Sequence, residues 1–314
     1  MKFKSLLAAM LIVASSAGAQ TADPVVMTIN GKPVLRSEFE YSYNKNNSET
    51  VVDKKSVADY VPLFVNYKLK VLAAEAAGID TTSAFRKEFL SYRDQQVRPS
   101  FINDDDVEAE ARKIYKETQT RIDSNGGLVR PSHILLMLKQ NATQAEQDAA
   151  KLRADSIYTA LVKGANFADL ARRLSDDKGS ASRGGDISWV QKGQTVKEFE
   201  DVVFAMKKGE LSKPFLSPFG YHIVKLMDKQ NFFPYDTLRA DIRRFIDQRG
   251  LRDHIVSQKL DSLAKAAQPA TTVQSLLDKR ADEMAAKDPA LRNLIREYHD
   301  GLLLYEISNR LVWD

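Results

Sequence analysis

Apolar and polar positions along this chain follow two different periods, and the change between them divides it. Near the start, Val25-Val26-Met27-Thr28-Ile29 is a β-branched run that reads as a strand. Asn30-Gly31 is the favoured two-residue hairpin turn, and Lys32 to Leu35 form the return strand. Ser37-x-x-Glu40 has the form of a capping box and predicts a helix start. Further helices are predicted over 56–77, 84–96 and from Asp104-Asp105-Asp106 onward. Gly78 fits the position after the first of these, and Pro62 is tolerable there only near the opening turns. The acidic triplet suits the positive end of a helix dipole.

Residues 121–129 are polar and contain Gly126-Gly127, which predicts a boundary. The next hundred residues differ in character. Val129 to Leu138 reads as a strand. Ala150, Ala154, Ile157 and Leu161 repeat at helical spacing, and Gly164 ends that helix. Asn166 caps a second helix with Phe167, Leu170, Ala171 and Leu174 on one face, the cleanest 3.6-residue period in the chain. A loop is predicted over 175–185, then a short strand from Asp186 to Val190. Thr195-x-x-Glu198 predicts a capped helix with Phe199, Val202, Val203 and Met206 inward. Phe215 to Ser217 and Tyr221 to Met227 read as strands. The order β-α-α-β-α-β-β describes a compact α+β domain.

From Asp236 the chain is helical and charged. Gly250 interrupts the first stretch, and Asp288-Pro289 is a good helix start. The last helix carries Leu291, Leu294, Ile295, Tyr298, Leu302 and Leu304 and runs to Trp313-Asp314 without a stop signal, so its apolar face needs a partner. Packing back on the N-terminal helices is expected. The resulting division is 1–19 leader, 20–127 hairpin plus helices, 128–230 α+β domain, and 231–314 C-terminal helical region.

The leader is predicted from Lys2 and Lys4, the apolar run Leu6 to Ala14, and Ala17-Gly18-Ala19, which fits small-x-small cleavage before Gln20. A membrane-spanning helix needs about 20 apolar residues, and this run is interrupted too early. Removing the two leader lysines lowers the formal charge from +4 to +2. Such a near-neutral chain gives no reason to expect nucleic acid or stable membrane insertion. Hydrophobic content of 43% and charged content of 28% are ordinary for a folded soluble protein. The absence of cysteine removes disulfides, thiolate metal sites and thiol nucleophiles together. No G-x-S-x-G or H-E-x-x-H pattern supports a hydrolase, and Gly184-Gly185 has no phosphate-loop context.

Several blocks occur together in order: Arg130-Pro131-Ser132-His133-Ile134-Leu135-Leu136, Phe167-Ala168-Asp169-Leu170-Ala171, Ser175-Asp176-Asp177, Gly184-Gly185-Asp186-Ile187-Ser188-Trp189, Phe199-Glu200, and Phe219-Gly220-Tyr221-His222-Ile223-Val224. Over about 128–230 the chain resembles the parvulin (PpiC-type, rotamase) peptidyl-prolyl isomerases. The leader and the hairpin-plus-helices region resemble, more loosely, SurA-like periplasmic chaperone-isomerases.

This resemblance implies a cis-trans isomerase of X-Pro bonds that needs no metal and no cofactor. It implies that His133 and His222 lie on adjacent strands and hydrogen-bond beneath the substrate, with Asp177 and Ser217 beside them. Ile187, Phe199 and either Thr195 or Val196 match the walls of the proline pocket, which Phe219 also adjoins. Three positions depart from the family pattern: Ser188 replaces a usual glycine, Phe219 replaces a small residue in some members, and Thr195 is more polar than the common methionine or leucine. Read singly, the residues say less: Asp177 is a solvated loop acid, and Ile187 and Phe199 are core. By resemblance, the partners are unfolded or nascent exported polypeptides with X-Pro bonds, outer-membrane proteins among them, and the location is the periplasm. The alternative is a holdase chaperone with a weak or inactive parvulin domain.

Overall fold

The computed structural model describes residues 23–312. The leader predicted at 1–19 and the terminal Trp313-Asp314 lie outside the described residues. In chain order the elements are β1 (Val25–Ile29), β2 (Lys32–Leu35), α1 (Arg36–Asn46), α2 (Val57–Ala76), α3 (Ser83–Val97), α4 (Asp104–Ser124), β3 (Leu128–Met137), α5 (Gln144–Val162), α6 (Phe167–Leu174), α7 (Lys178–Ala181), α8 (Lys197–Val203), β4 (Phe215–Ser217), β5 (Gly220–Gln230), α9 (Tyr235–Gln248), α10 (Leu251–Ala266), α11 (Val273–Lys287) and α12 (Pro289–Val312). They form two compact units. One holds the residues up to Phe101 together with those from Gln258 on, and the other is Ile102–Ser257.

In the first unit, the β1–β2 hairpin turns at Asn30 and Gly31 with φ of 49° and 79°, the positive values that its turn type requires. Val34 of the hairpin, Phe39 of α1 and Phe64 of α2 share one buried cluster. The C-terminal helix returns to this unit: Leu303 and Ile307 of α12 pack with Val71, Ala74, Ile79 and Phe85. That is the partner surface its apolar face needed. The first helix starts two residues earlier than its sequence indicates. Its N-cap is Leu35, and Ser37 is no cap. The carboxylate of Asp23 accepts the Ser37 N–H and hydroxyl instead, while Glu40 pairs with Arg36. A residue just before β1 thus satisfies a free N–H group at the helix start that a cap would otherwise serve.

In the second unit, β3, β5 and β4 form an antiparallel sheet in that order. One face carries Ile134, Leu136 and Ile223, covered by Ala154, Ile157 and Leu161 of α5 and Phe167, Leu170 and Ala171 of α6. The opposite face carries Val129, Val224 and Leu226, packed with Phe199 and Val203 of α8 and with Met206. The pairing register shifts between Arg130 and Pro131, where proline lacks an N–H to give the ladder. Helix α4 runs to Ser124, through the first part of the polar segment predicted as a boundary. Its Val107 and Ala111 pack with Tyr235 and Ile246 of α9 and Ile255 of α10. Both helices therefore belong to the sheet's unit, and the compact units divide near residues 101 and 257 rather than near 127 and 230.

Three local readings change in the second unit. The predicted loop 175–185 contains the single-turn helix α7, which Asp177 caps by accepting the Gly179 N–H. Asp186 to Val190 forms only isolated bridges, Asp186 with Ser132 and Val190 with Val129. Helix α8 begins after Val196, and Thr195 is not its cap. Glu200, one turn in, reaches back to accept the N–H groups of Gly193 and Thr195.

Candidate active site

Strand alternation sets the site. His133 and Leu135 point to the same face of β3, and Leu135 stands opposite His222 in the register. Both imidazoles thus emerge on the α8 face. Phe215 of β4 also faces His222, and Ser217 lies two residues further along the same strand face. The bend that carries Asp177 is held close to β3. The Asp176 N–H donates to the Leu135 carbonyl at 2.7 Å, and the Leu135 N–H donates to Ser175 Oγ at 3.1 Å. On the far side of α7, the His133 N–H donates to the Gly185 carbonyl at 2.8 Å. A Cβ on Gly185 would lie 2.4 Å from the His133 carbonyl oxygen, and its φ is +86°, so only glycine fits this approach.

His133, Ser217 and His222 are buried, and Asp177 is partly exposed. The two Nδ1 atoms lie 3.4 Å apart. His133 Nε2 is 2.8 Å from Asp177 Oδ2 and 3.0 Å from Ser180 Oγ. His222 Nε2 is 2.7 Å from Ser217 Oγ, which accepts the Phe219 N–H at 3.1 Å. Burial pushes the His222 imidazole down to about 3, and His133 adds to this, so the ring is neutral at physiological pH. Partial burial alone would raise Asp177. The hydrogen bonds from Ser180 and His133 outweigh it and hold the carboxyl below its ordinary value.

The carboxylate only accepts, so His133 donates to it from Nε2. The neutral His222 ring links His133 at Nδ1 to the Ser217 hydroxyl at Nε2. A hydrogen-bonded line thus runs from Ser217 to Asp177 and ends on a charge.

Above this polar floor is a cleft of about 320 Å³ lined by His133, Ile187, Gln194, Thr195, Val196, Phe199, Phe219 and His222. Every substrate-binding residue expected from the sequence lines it: Ile187, Thr195, Val196, Phe199 and Phe219. Phe199 meets His133 edge-on with centroids 5.9 Å apart and His222 at 5.4 Å. Phe215 stacks on His222 at 5.4 Å and lies 6.1 Å from Phe199. Phe219 is largely exposed at the rim. Ser188 has φ of +65°, a left-handed conformation that explains why glycine is usual at this point.

A family model for the rotamase (PPIC-type PPIASE) domain matches residues 133–228. The chain carries a parvulin-type domain. The chain is 35% identical over 161 residues to the foldase protein PrsA of Geobacillus sp. (strain WCH70), covering 51% of this chain and 51% of that protein. It is 26% identical over 265 residues to the foldase protein PrsA of Geobacillus kaustophilus, covering 82% and 89%. It is 38% identical over 125 residues to the chaperone SurA of Alkalilimnicola ehrlichii, covering 40% and 28%. The match thus spans about half the length of the first of these relatives and under a third of the SurA protein.

Three residues at the parvulin site escaped the sequence reading: Ser180, Gln194 and Phe215. Ser180 is buried and donates to Asp177. Its signal was its place three residues after a helix-capping acid. Phe215 had a plainer one, since strand alternation puts it on the face of Ser217.

Proposed function

We propose that this protein is a peptidyl-prolyl cis-trans isomerase that assists the folding of exported polypeptides, with residues 128–230 as its catalytic module and the helical regions before and after it handling unfolded clients. The observation that carries this is the apolar cleft directly above the buried His133–His222 pair. An X-Pro bond crosses a barrier of about 20 kcal/mol because the planar amide has partial double-bond character. No bond breaks, so the protein has only to bind the twisted amide better than either planar form.

In this reading the proline ring enters between Ile187, Thr195, Val196 and Phe199, with Phe219 closing over it. The carbonyl of the preceding residue then lies above the imidazoles, near Asp177. Resonance in the planar amide places partial negative charge on that oxygen. A carboxylate nearby opposes this charge and so favours the twisted form, where resonance is lost. His133 and Ser180 fix the carboxylate, and Ser217 fixes His222. Among the described residues no helix is long and apolar enough to cross a membrane. The leader at 1–19 supports export to the periplasm, and outer-membrane proteins are the clients proposed.

The test is refolding of a protein whose slow phase is limited by prolyl isomerisation, with catalytic amounts of the chain from Gln20 to Asp314. The slow phase, tens of seconds unassisted, is expected to accelerate with wild type and much less with Asp177→Ala or Phe199→Leu. An unchanged slow phase with folded wild-type protein would overturn the isomerase reading.

A further inference from the structure

We propose that Asp177 makes this site selective for charge: it accepts proline preceded by a basic or neutral residue and rejects proline preceded by an acidic or phosphorylated one. This deepens the isomerase reading and rests on it.

Every side chain lining the cleft is uncharged or an imidazole, and His222 is held neutral. Two carboxylates lie one hydrogen bond behind the lining: Asp177 behind His133, under the imidazole floor, and Glu200 behind Thr195, on the proline-slot wall. The partners of Asp177 are His133, the Ser180 hydroxyl and the Gly179 N–H. The two cations of the same bend are turned to backbone oxygens. Lys178 Nζ donates to the Ser175 carbonyl at 2.9 Å, and Arg183 donates to those of Gly179 at 2.8 Å and Asp186 at 3.1 Å. Among the described residues no lysine or arginine offsets this negative charge, which lies beside a low-dielectric wall that strengthens its field.

The bond that turns joins the carbonyl of the preceding residue to the proline nitrogen. With the proline ring in the apolar slot, that residue sits over the imidazoles, within a side chain's reach of Asp177. A lysine there is attracted and a glutamate or phosphoserine repelled. At a separation of about 6–8 Å in largely aqueous surroundings, reversing the sign of the substrate charge changes binding by roughly five- to tenfold.

The experiment measures kcat/KM for tetrapeptides with Lys, Leu, Glu or phosphoserine before proline, at about 20 mM and 500 mM salt, for wild type and Asp177→Asn. The expected order is Lys above Leu above Glu and phosphoserine, with a Lys/Glu ratio of about five to ten that shrinks at high salt. In Asp177→Asn the ratio is expected to approach one, whatever the remaining rate. A wild-type ratio near one or reversed, with Leu-Pro still catalysed, overturns the proposal and leaves the isomerase reading intact. A ratio that persists in Asp177→Asn assigns the preference to another residue and also overturns it. No catalysis with any peptide removes both.

Discussion

Asp177 Oδ2 and His133 Nε2 lie 2.8 Å apart, joining the bend after α6 to the edge strand β3. The bond does two things. It places a hydrogen on Nε2 of His133. It also brings a negative charge up beneath an otherwise apolar cleft. Ser180 adds a second donor to the same oxygen, so the carboxylate stays ionised despite partial burial.

The other end of the hydrogen-bonded line predicts a stability effect. Ser217→Ala removes the hydroxyl between His222 Nε2 and the Phe219 N–H, and Ser217 is buried. A buried polar atom left without a partner costs about 1–3 kcal/mol. Chemical denaturation is expected to show a loss in that range, with an unchanged m-value. A variant as stable as wild type would mean that water replaces the hydroxyl.

His222 predicts acid sensitivity. Its folded value is lowered to about 3 from an ordinary 6.5, so below pH 6.5 the unfolded chain takes up a proton that the folded chain refuses. The contribution is complete above pH 6.5 and is lost as pH falls toward 3. Asp177 acts in the same direction at lower pH, because its folded value is also depressed. Urea midpoints for wild type and His222→Asn should therefore diverge least near pH 5 and most at pH 7.5. Parallel midpoints across that range would contradict a buried neutral His222.

Gly185→Ala should damage fold and site together. The added methyl would meet the His133 carbonyl oxygen at 2.4 Å, against backbone that cannot swing away. The expected loss is more than about 1 kcal/mol, with the histidine ring resonances shifted in NMR spectra. Gly193→Ala is the control: its φ is +92°, but nothing lies within 4 Å of the new methyl and no site residue is touched.

In the helical unit, Lys68 joins Asp300 at 2.6 Å and Glu38 at 3.0 Å, and Asp300 is only 4% exposed. Lys68→Met leaves both acids without their shared cation. Breaking a buried pair from one side costs about 3–5 kcal/mol. The thermal midpoint should fall, and Asp300→Asn in the Lys68→Met background should recover part of it. No recovery would mean that the lysine acts by packing alone.

Elements with their own periodicity or turn chemistry were legible in the sequence. The β1–β2 hairpin, the Asn166 cap and the α6 face formed as the residues indicate. Readings failed where a distant group took over a local task. Asp23 serves the α1 start that Ser37 appeared to cap, and Glu200 serves the turn before α8. The unit boundaries were hidden because the partners of α4 and α12 lie far along the chain. At the site, the resemblance led to seven of the eight cleft-lining residues, Gln194 excepted, but Ser180 carried no motif of its own. Its role exists only because the single turn of α7 brings it back over Asp177.

The most direct test of the central claim is exchange NMR on an Ala-Leu-Pro-Phe-type peptide with a small fraction of the folded chain from Gln20 to Asp314. Without enzyme, cis and trans signals exchange over tens of seconds and give no cross-peaks at sub-second mixing times. The account predicts cis-trans cross-peaks with wild type, together with shifts of the Phe199 and His222 resonances. A peptide that shifts those resonances without exchanging would make the cleft a binding site only, and one that does neither would contradict the account.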